Sequence, residues 1–195
     1  MKEAGARART VERIAVAAAL ALALAACAGA PSTVFDLTAA HPPAARPFSA
    51  QIRIDQPIAT LDLDSDRILV RNGLELALLP GGRWPQQLSS LFRDRLIESF
   101  QNAGLARSID NGAASANYAL DLDLRAFELD ATTSEAHVEV VAKIVALTSG
   151  RIVDVAIFSA RAPASSTGAA SVVASLGEAS DKVMTQIVQF VARQL

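Results

Sequence analysis

The 195-residue chain is 51% hydrophobic but only 5% aromatic, and its 18 basic and 20 acidic residues give a net charge of −2. That balance excludes a nucleic-acid footprint, which needs a clustered basic face, and the shortage of rings argues against stacking platforms for bases or sugars. One cysteine in the whole chain excludes an internal disulfide.

The chain opens on a leader. Lys2, Arg7, Arg9 and Arg13, diluted by Glu3 and Glu12, precede an unbroken apolar run from Ile14 to Leu24. A charged start, an apolar core of this length and a small-residue exit describe a secretory signal. The run is too short for a transmembrane helix, which needs about 20 residues. Arg7 and Arg9 are not adjacent, so twin-arginine export is not indicated. Leu24-Ala25-Ala26-Cys27 reads as a lipobox, with residues 1–26 removed and Cys27 carrying lipid. Cleavage at a small-x-small site near Ala28 or Ala30 is the alternative, and it would discard the cysteine. At about 0.8 kcal/mol per buried methylene, two or more acyl chains anchor stably. Ala28, in place of Asp, favours the periplasmic side of the outer membrane over the inner one. The leader takes four basic and two acidic residues, leaving 14 and 18 in residues 27–195, a single domain by size.

Residues 27–48 read as the lipidated cysteine and its tether, with a short strand at Val34-Phe35-Asp36-Leu37; His41-Pro42-Pro43 and Pro47 make 38–48 an extended loop. The folded domain is expected over 49–195. Ile52 and Ile54 alternate with polar neighbours, as in a half-buried strand. Ile68 and Val70, then Asn72-Gly73, then Leu74, Leu76 and Leu78 predict a hairpin over 66–79. Leu88, Leu91, Phe92, Leu96 and Phe100 fall at helical spacing, with Pro85 suited to the first turn and Gly104 to the cap. This predicts a helix over 85–103.

After a polar stretch at 106–116, Tyr118, Leu120, Leu122 and Leu124 alternate with charge. The apolar phase slips by one at Phe127 and Leu129, which predicts a bulge. Val138 to Ile144 and Val153, Val155 and Ile157 form a second hairpin around Thr148-Ser149-Gly150-Arg151. Serines and Thr167 in the 163–168 break are placed to cap a last helix, striped by Val173, Leu176, Val183, Ile187, Phe190 and Val191. The expected fold class is α+β: a mostly antiparallel sheet of about six strands with two amphipathic helices packed on one face.

Chemistry has little to hold. His41 sits in a proline-rich loop, and His137-Val138-Glu139 resembles half of a zinc-deaminase motif without its Pro-Cys-x-x-Cys half, so a polar outer row is the simpler account. The serines lack a nucleophile-elbow context, and no phosphate or dinucleotide fingerprint is present. Asp62, Asp64 and Asp66 open like a calcium loop, but Arg67 stands where Gly is needed and Gly73 where a bidentate Glu is needed; a strand with a solvated face is expected instead. No catalytic residue, metal ligand or cofactor is expected. The two helix stripes could wall a lipid groove, though they ordinarily face a sheet. Trp84, between Arg83 and Pro85, reads either as a corner staple or as an interface anchor.

These features together resemble the ABC-type transport auxiliary lipoprotein family. Phe35-Asp36-Leu37 after the lipid cysteine, Leu63-Asp64-Ser65-Asp66-Arg67-Ile68, Val70-Arg71, Arg83-Trp84-Pro85 before a helix ending Leu96-Ile97-Glu98-Ser99-Phe100, and the terminal amphipathic helix carry the resemblance. Relatives often have a Tyr before the corner; here Leu78 and Leu79 precede it. The resemblance implies a non-catalytic, lipid-anchored component that works with ABC transporter subunits and an MCE-domain protein in moving lipids between membranes. It would support outer-membrane integrity, docking through Arg83 and Trp84. Two other classes fit the same anchor: a periplasmic lipid-binding or chaperone-like lipoprotein with an apolar cavity between sheet and helices, and an outer-membrane assembly plug with a β-barrel partner.

Overall fold

The computed structural model describes residues 32–110 and 116–195. The leader, Cys27 and the expected cleavage point lie outside the described residues. In chain order come β1 (Thr33–Val34), β2 (Ile52–Ile54), β3 (Ile58–Ala59), β4 (Arg67–Asn72), β5 (Glu75–Arg83), α1 (Leu88–Asn102), β6 (Ile109–Asp110), β7 (Tyr118–Asp130), β8 (Glu135–Ala146), β9 (Arg151–Pro163) and α2 (Ala169–Gln194).

β7 is the spine. β8 runs antiparallel along its length and β9 along β8. The other edge of β7 is shared end to end by three short strands, all parallel to it: β2 at Tyr118–Leu120, β3 at Asp123–Leu124 and β4 at Glu128–Asp130. β5 extends the sheet beyond β4, β1 adds in parallel to β5, and β6 adds in parallel to β2. The expectation of about six mostly antiparallel strands is therefore corrected to nine described strands in one mixed sheet. The reason is the return path. From β4 the chain comes back through β5 and α1 before β7 sets out again, and such a crossover leaves β4 and β7 pointing the same way.

Local signals hold in several places. The hairpin forms where Asn72-Gly73 predicts one, but one residue later: Asn72 still pairs with Glu75, and the turn residues are Gly73 and Leu74. Gly73 supplies the positive φ, 62°, a backbone region that costs a glycine nothing. The register of β7 against β8 shifts between Leu124 and Ala126, so Phe127 and Leu129 return to the buried face as the phase slip predicts.

α1 begins at Leu88, after the Trp84-Pro85-Gln86-Gln87 corner. α2 starts after Gly168 with no side-chain cap. The expected serine cap is absent: the Ser165 hydroxyl pairs with Ser171 Oγ, and the Ser166 hydroxyl accepts the Gly168 N–H at 3.4 Å instead of an α2 N–H.

Both helices cover one face. Phe92 of α1 stands edge-on to Phe127 of β7, and Phe190 of α2 edge-on to Phe158 of β9. Ala136, Val138, Val140, Ala142 and Ile144 of β8 are sealed beneath them, each larger side chain worth about 1.5–3 kcal/mol of burial. The space between sheet and helices is filled by one continuous apolar cluster.

Two apolar rows face the other way. Leu76 and Leu78 of β5, and Val155 and Ile157 of β9, are exposed on the uncovered face, while Leu79, Ala160 and Ala162 are the residues turned toward the helices. Both strands are apolar on both faces, so alternation alone does not choose between them.

Residues 32–48 pack on the folded body. The segment is irregular after β1, as its prolines require, yet Leu37 and Ala40 are buried. The Ala40 N–H donates to Ser99 Oγ at 2.8 Å, and the Ala45 N–H donates to the Ala103 carbonyl at 3.0 Å. The compact unit runs from Ser32 to Leu195.

Candidate functional site

The Arg83-Trp84 pair closes β5 and turns the chain toward α1. Its backbone ties three elements together: the Phe35 N–H donates to the Arg83 carbonyl at 2.8 Å, and the Trp84 N–H donates to the Asp66 carbonyl at 2.7 Å. The two side chains then part. Trp84 is 1% exposed, its indole edge-on to Phe127 with centroids 5.8 Å apart at 82°. The Arg83 side chain is 42% exposed, and its guanidinium sits 3.3 Å from the Asp66 carboxylate. Of the two accounts of Trp84, burial supports the corner staple. Arg83 is the half of the pair that reaches the surface.

The three spaced aspartates do separate work. Residues 61–66 form a turn rather than the expected strand. Asp64 accepts the Ser89 N–H at 3.2 Å and the Ser65 carbonyl accepts the Leu88 N–H at 3.1 Å, so this turn supplies α1 with the cap its own Gln87 does not give. A carboxylate at a helix N-terminus also meets the favourable end of the dipole. Asp66 is spent on Arg83, and Asp62 is exposed. The acids diverge, which is not how an ion is caged.

A second feature was not legible beforehand. Arg95 of α1 clamps the N-terminal segment: its Nε donates to the Leu37 carbonyl at 2.7 Å, its Nη2 to Asp36 at 2.6 Å and its Nη1 to Glu98 at 3.2 Å. Although burial lowers its proton affinity, the bonds to Asp36 and Glu98 outweigh that and hold its pKa above the usual value. Asn102 adds a bond to the Ala40 carbonyl at 2.9 Å. Asp36 to Arg95 spans 59 positions, and neither residue carries a local motif, so no spacing rule could pair them.

On the uncovered face, charges form a row across four strands. Arg71 of β4 pairs with the nearly buried Glu128 of β7, and Arg161 of β9 lies 3.6 Å from Asp130 and 3.7 Å from Glu135. His137 sits within this row, Nε2 3.1 Å from Ser159 Oγ and 3.9 Å from Glu139. Burial first, then the Arg161 charge, pushes its pKa below the ordinary value. The row is a set of cross-strand pairs, as expected for His137-Val138-Glu139. Among the described residues, no three His, Cys, Asp or Glu gather as a metal site, and no helix is long and apolar enough to cross a membrane.

Comparison with known proteins fits this architecture. The crystal structure of protein XCC0632 from Xanthomonas campestris, assigned to the family model DUF330, superposes with a TM-score of 0.75 at 30% identity, covering 83% of this chain and 96% of that one. A second crystal structure, of an uncharacterised protein, gives a TM-score of 0.65 at 12% identity over 85% of this chain and 99% of that one, a likeness of fold alone. No curated protein matches the chain. The family model described as "ABC-type transport auxiliary lipoprotein component" matches residues 35–188, from the clamped segment to the last turns of α2, and the chain belongs to that family.

Proposed function

We propose that this protein is a non-catalytic, lipid-anchored subunit of an ABC/MCE-type intermembrane lipid transport system. Cys27 would hold it on the periplasmic side of the outer membrane, and the folded body would dock on the MCE-domain protein and ABC transporter subunits. Family membership over residues 35–188 carries this reading, since an auxiliary component of a transporter acts by binding. The Arg83 corner is the proposed contact: Arg83 offers an exposed guanidinium at a joint that Trp84 makes rigid from within. An interface centred on a pre-organised Arg loses little side-chain freedom on binding.

Affinity capture of the lipidated protein from detergent extracts of envelopes tests the proposal. Recovery of MCE and ABC subunits, reduced at least tenfold by Arg83→Glu, is the expected result. Capture that brings down neither subunit removes the proposal. Capture that Arg83→Glu leaves unchanged removes the Arg83 surface from it.

The lipid-carrier alternative has one observation in its favour. Val70, Ala77, Leu79, Pro80, Leu129 and Ala169 are among the uncharged residues lining a cleft of about 450 Å³ beside the β4–β5 hairpin. That volume lies within the range of small-ligand pockets. It is, however, a surface cleft beside the filled sheet–helix core. Native mass spectra of detergent-stripped protein carrying a stoichiometric phospholipid would put this reading first.

A further inference from the structure

The most exposed apolar side chains of the β4–β5 hairpin gather at its tip. Leu74 is 100% exposed, and Leu76 and Leu78 follow at 44% and 47% on the uncovered face. The turns at the same end of the sheet, residues 131–134 between β7 and β8 and residues 164–168 between β9 and α2, contain no charged residue. The uncharged cleft opens at this end as well. Glu75 beside Leu74, and Asp130, Glu135 and Arg161 at the bases of the turns, rim these leucines with charge, and exposed apolar side chains with a polar rim mark an interaction surface.

Chain direction says what covers it. β1 is parallel to β5, and β5 starts at the hairpin tip, so the chain enters β1 from the tip side. Val34 is level with Arg83, and Arg83 with Arg67 of β4. From Arg67 to Gly73 at the tip is six residues, roughly 20 Å at strand rise. From Thr33 back to Cys27 is also six residues, a reach of at most about 20 Å. A lipidated Cys27 therefore holds the bilayer within reach of one end of the domain, and an extended linker brings the bilayer level with the hairpin tip.

We infer that the β4–β5 hairpin tip enters the lipid surface, with Leu74 and Leu76 among the headgroups and upper acyl chains, and fixes the orientation of the domain on its anchor. The inference rests on the lipidation of Cys27. Apolar side chains at such a depth bind in proportion to the area they bury, and the lipid anchor has already removed the entropic cost of bringing them there.

The test uses the full lipidated protein in vesicles of phosphatidylethanolamine and phosphatidylglycerol. With the Cys27 thiol alkylated by lipid, Leu74→Cys supplies a unique free thiol for an environment-sensitive fluorophore. Ile157→Cys, exposed in the middle of β9, is the control. Blue-shifted emission at position 74, quenched at least about twofold more than at 157 by nitroxide-bearing lipids, is expected. With Leu74→Asp and Leu76→Asp together, quenching of a probe at Thr132→Cys should fall while the protein stays on the vesicles.

Floating protein whose position 74 is quenched no more than 157 overturns the hairpin inference and leaves the anchor standing. Protein that lacks the lipid mass and does not float removes the anchor and the inference together. A blue shift at 74 that persists in detergent without vesicles and grows with protein concentration assigns the tip to a second copy, and that also overturns the inference.

Discussion

Trp84 and Phe127 meet edge to face, 5.8 Å apart, at the point where the β5–α1 corner presses on the bulged half of β7. The corner is thus held from inside the core, while its neighbour Arg83 remains outside. Trp84→Ala should cost about 3–5 kcal/mol, the range for deleting a buried large aromatic. Arg83→Ala, losing only an exposed pair with Asp66, should cost under about 1 kcal/mol. Urea unfolding of the two variants separates them, and any loss of partner capture by Arg83→Ala then reports on the surface alone.

Removing the Arg95 guanidinium should loosen the N-terminal segment without unfolding the sheet. Arg95→Ala leaves the Leu37 carbonyl and Asp36 Oδ2 without their guanidinium donors, while Asp36 Oδ1 still accepts the Leu37 N–H. Amide exchange at Leu37 and Ala40 should rise at least tenfold while the β7–β8 amides stay protected. Arg95→Lys should restore little of this, because one ammonium cannot repeat a planar fork aimed at three acceptors.

Gly82 is a packing position. A Cβ built there would lie 3.1 Å from Ala169 Cβ, 3.3 Å from Ile68 Cδ1 and 3.3 Å from Phe35 Cε2. Gly82→Ala should destabilise by about 1–3 kcal/mol through overpacking, and Gly82→Val by more. Compensation by Phe35→Leu in the same background, read as recovery of the thermal midpoint, would identify the crowded neighbour.

His137 gives the domain an acid-sensitive component of stability. Its folded pKa lies below the ordinary value of 6.5 because burial and the Arg161 charge oppose the imidazolium, although Glu139, Glu128 and Asp130 pull the other way. The folded form therefore binds a proton less readily than the unfolded chain. The associated stability is complete above about pH 6.5 and is lost as pH falls below it through the folded pKa. His137→Gln should flatten the urea midpoint between pH 7.5 and 5, with little effect at the upper end.

The legible parts of this fold are those whose signal is local. Asn72-Gly73 announced a hairpin turn that falls one residue later, the slip at Phe127 announced the bulge, and the α1 stripe announced the face that packs on β7. What stayed hidden needed a partner far along the chain. The parallel pairing of β2, β3 and β4 with β7 depends on where the crossover returns, which no single strand encodes. Leu74-x-Leu76-x-Leu78 reads like an inward row because Ala77 and Leu79 beside it are also apolar, and only the helices decide which row is sealed. Trp84 was half legible: its place at a corner could be read, but its burial came from Phe127, 43 positions away.

The two-residue strand β1 has a mechanical consequence. β1 contributes only two pairings to β5, and a pull applied at Ser32 toward the hairpin tip runs along the strand axis. Its ladder bonds are then loaded in shear, side by side, instead of being peeled one after another. So short a ladder, even with the Phe35–Arg83 bond at its end, yields easily, and the load passes to Arg95 and to the Ala40–Ser99 bond on α1. Resistance to extraction is thus set by a helix the tether never joins in sequence. Under a laser trap pulling from residue 32, Arg95→Ala should lower the force at which the N-terminal segment detaches while leaving the unfolding force of the β7–β8–β9 core unchanged.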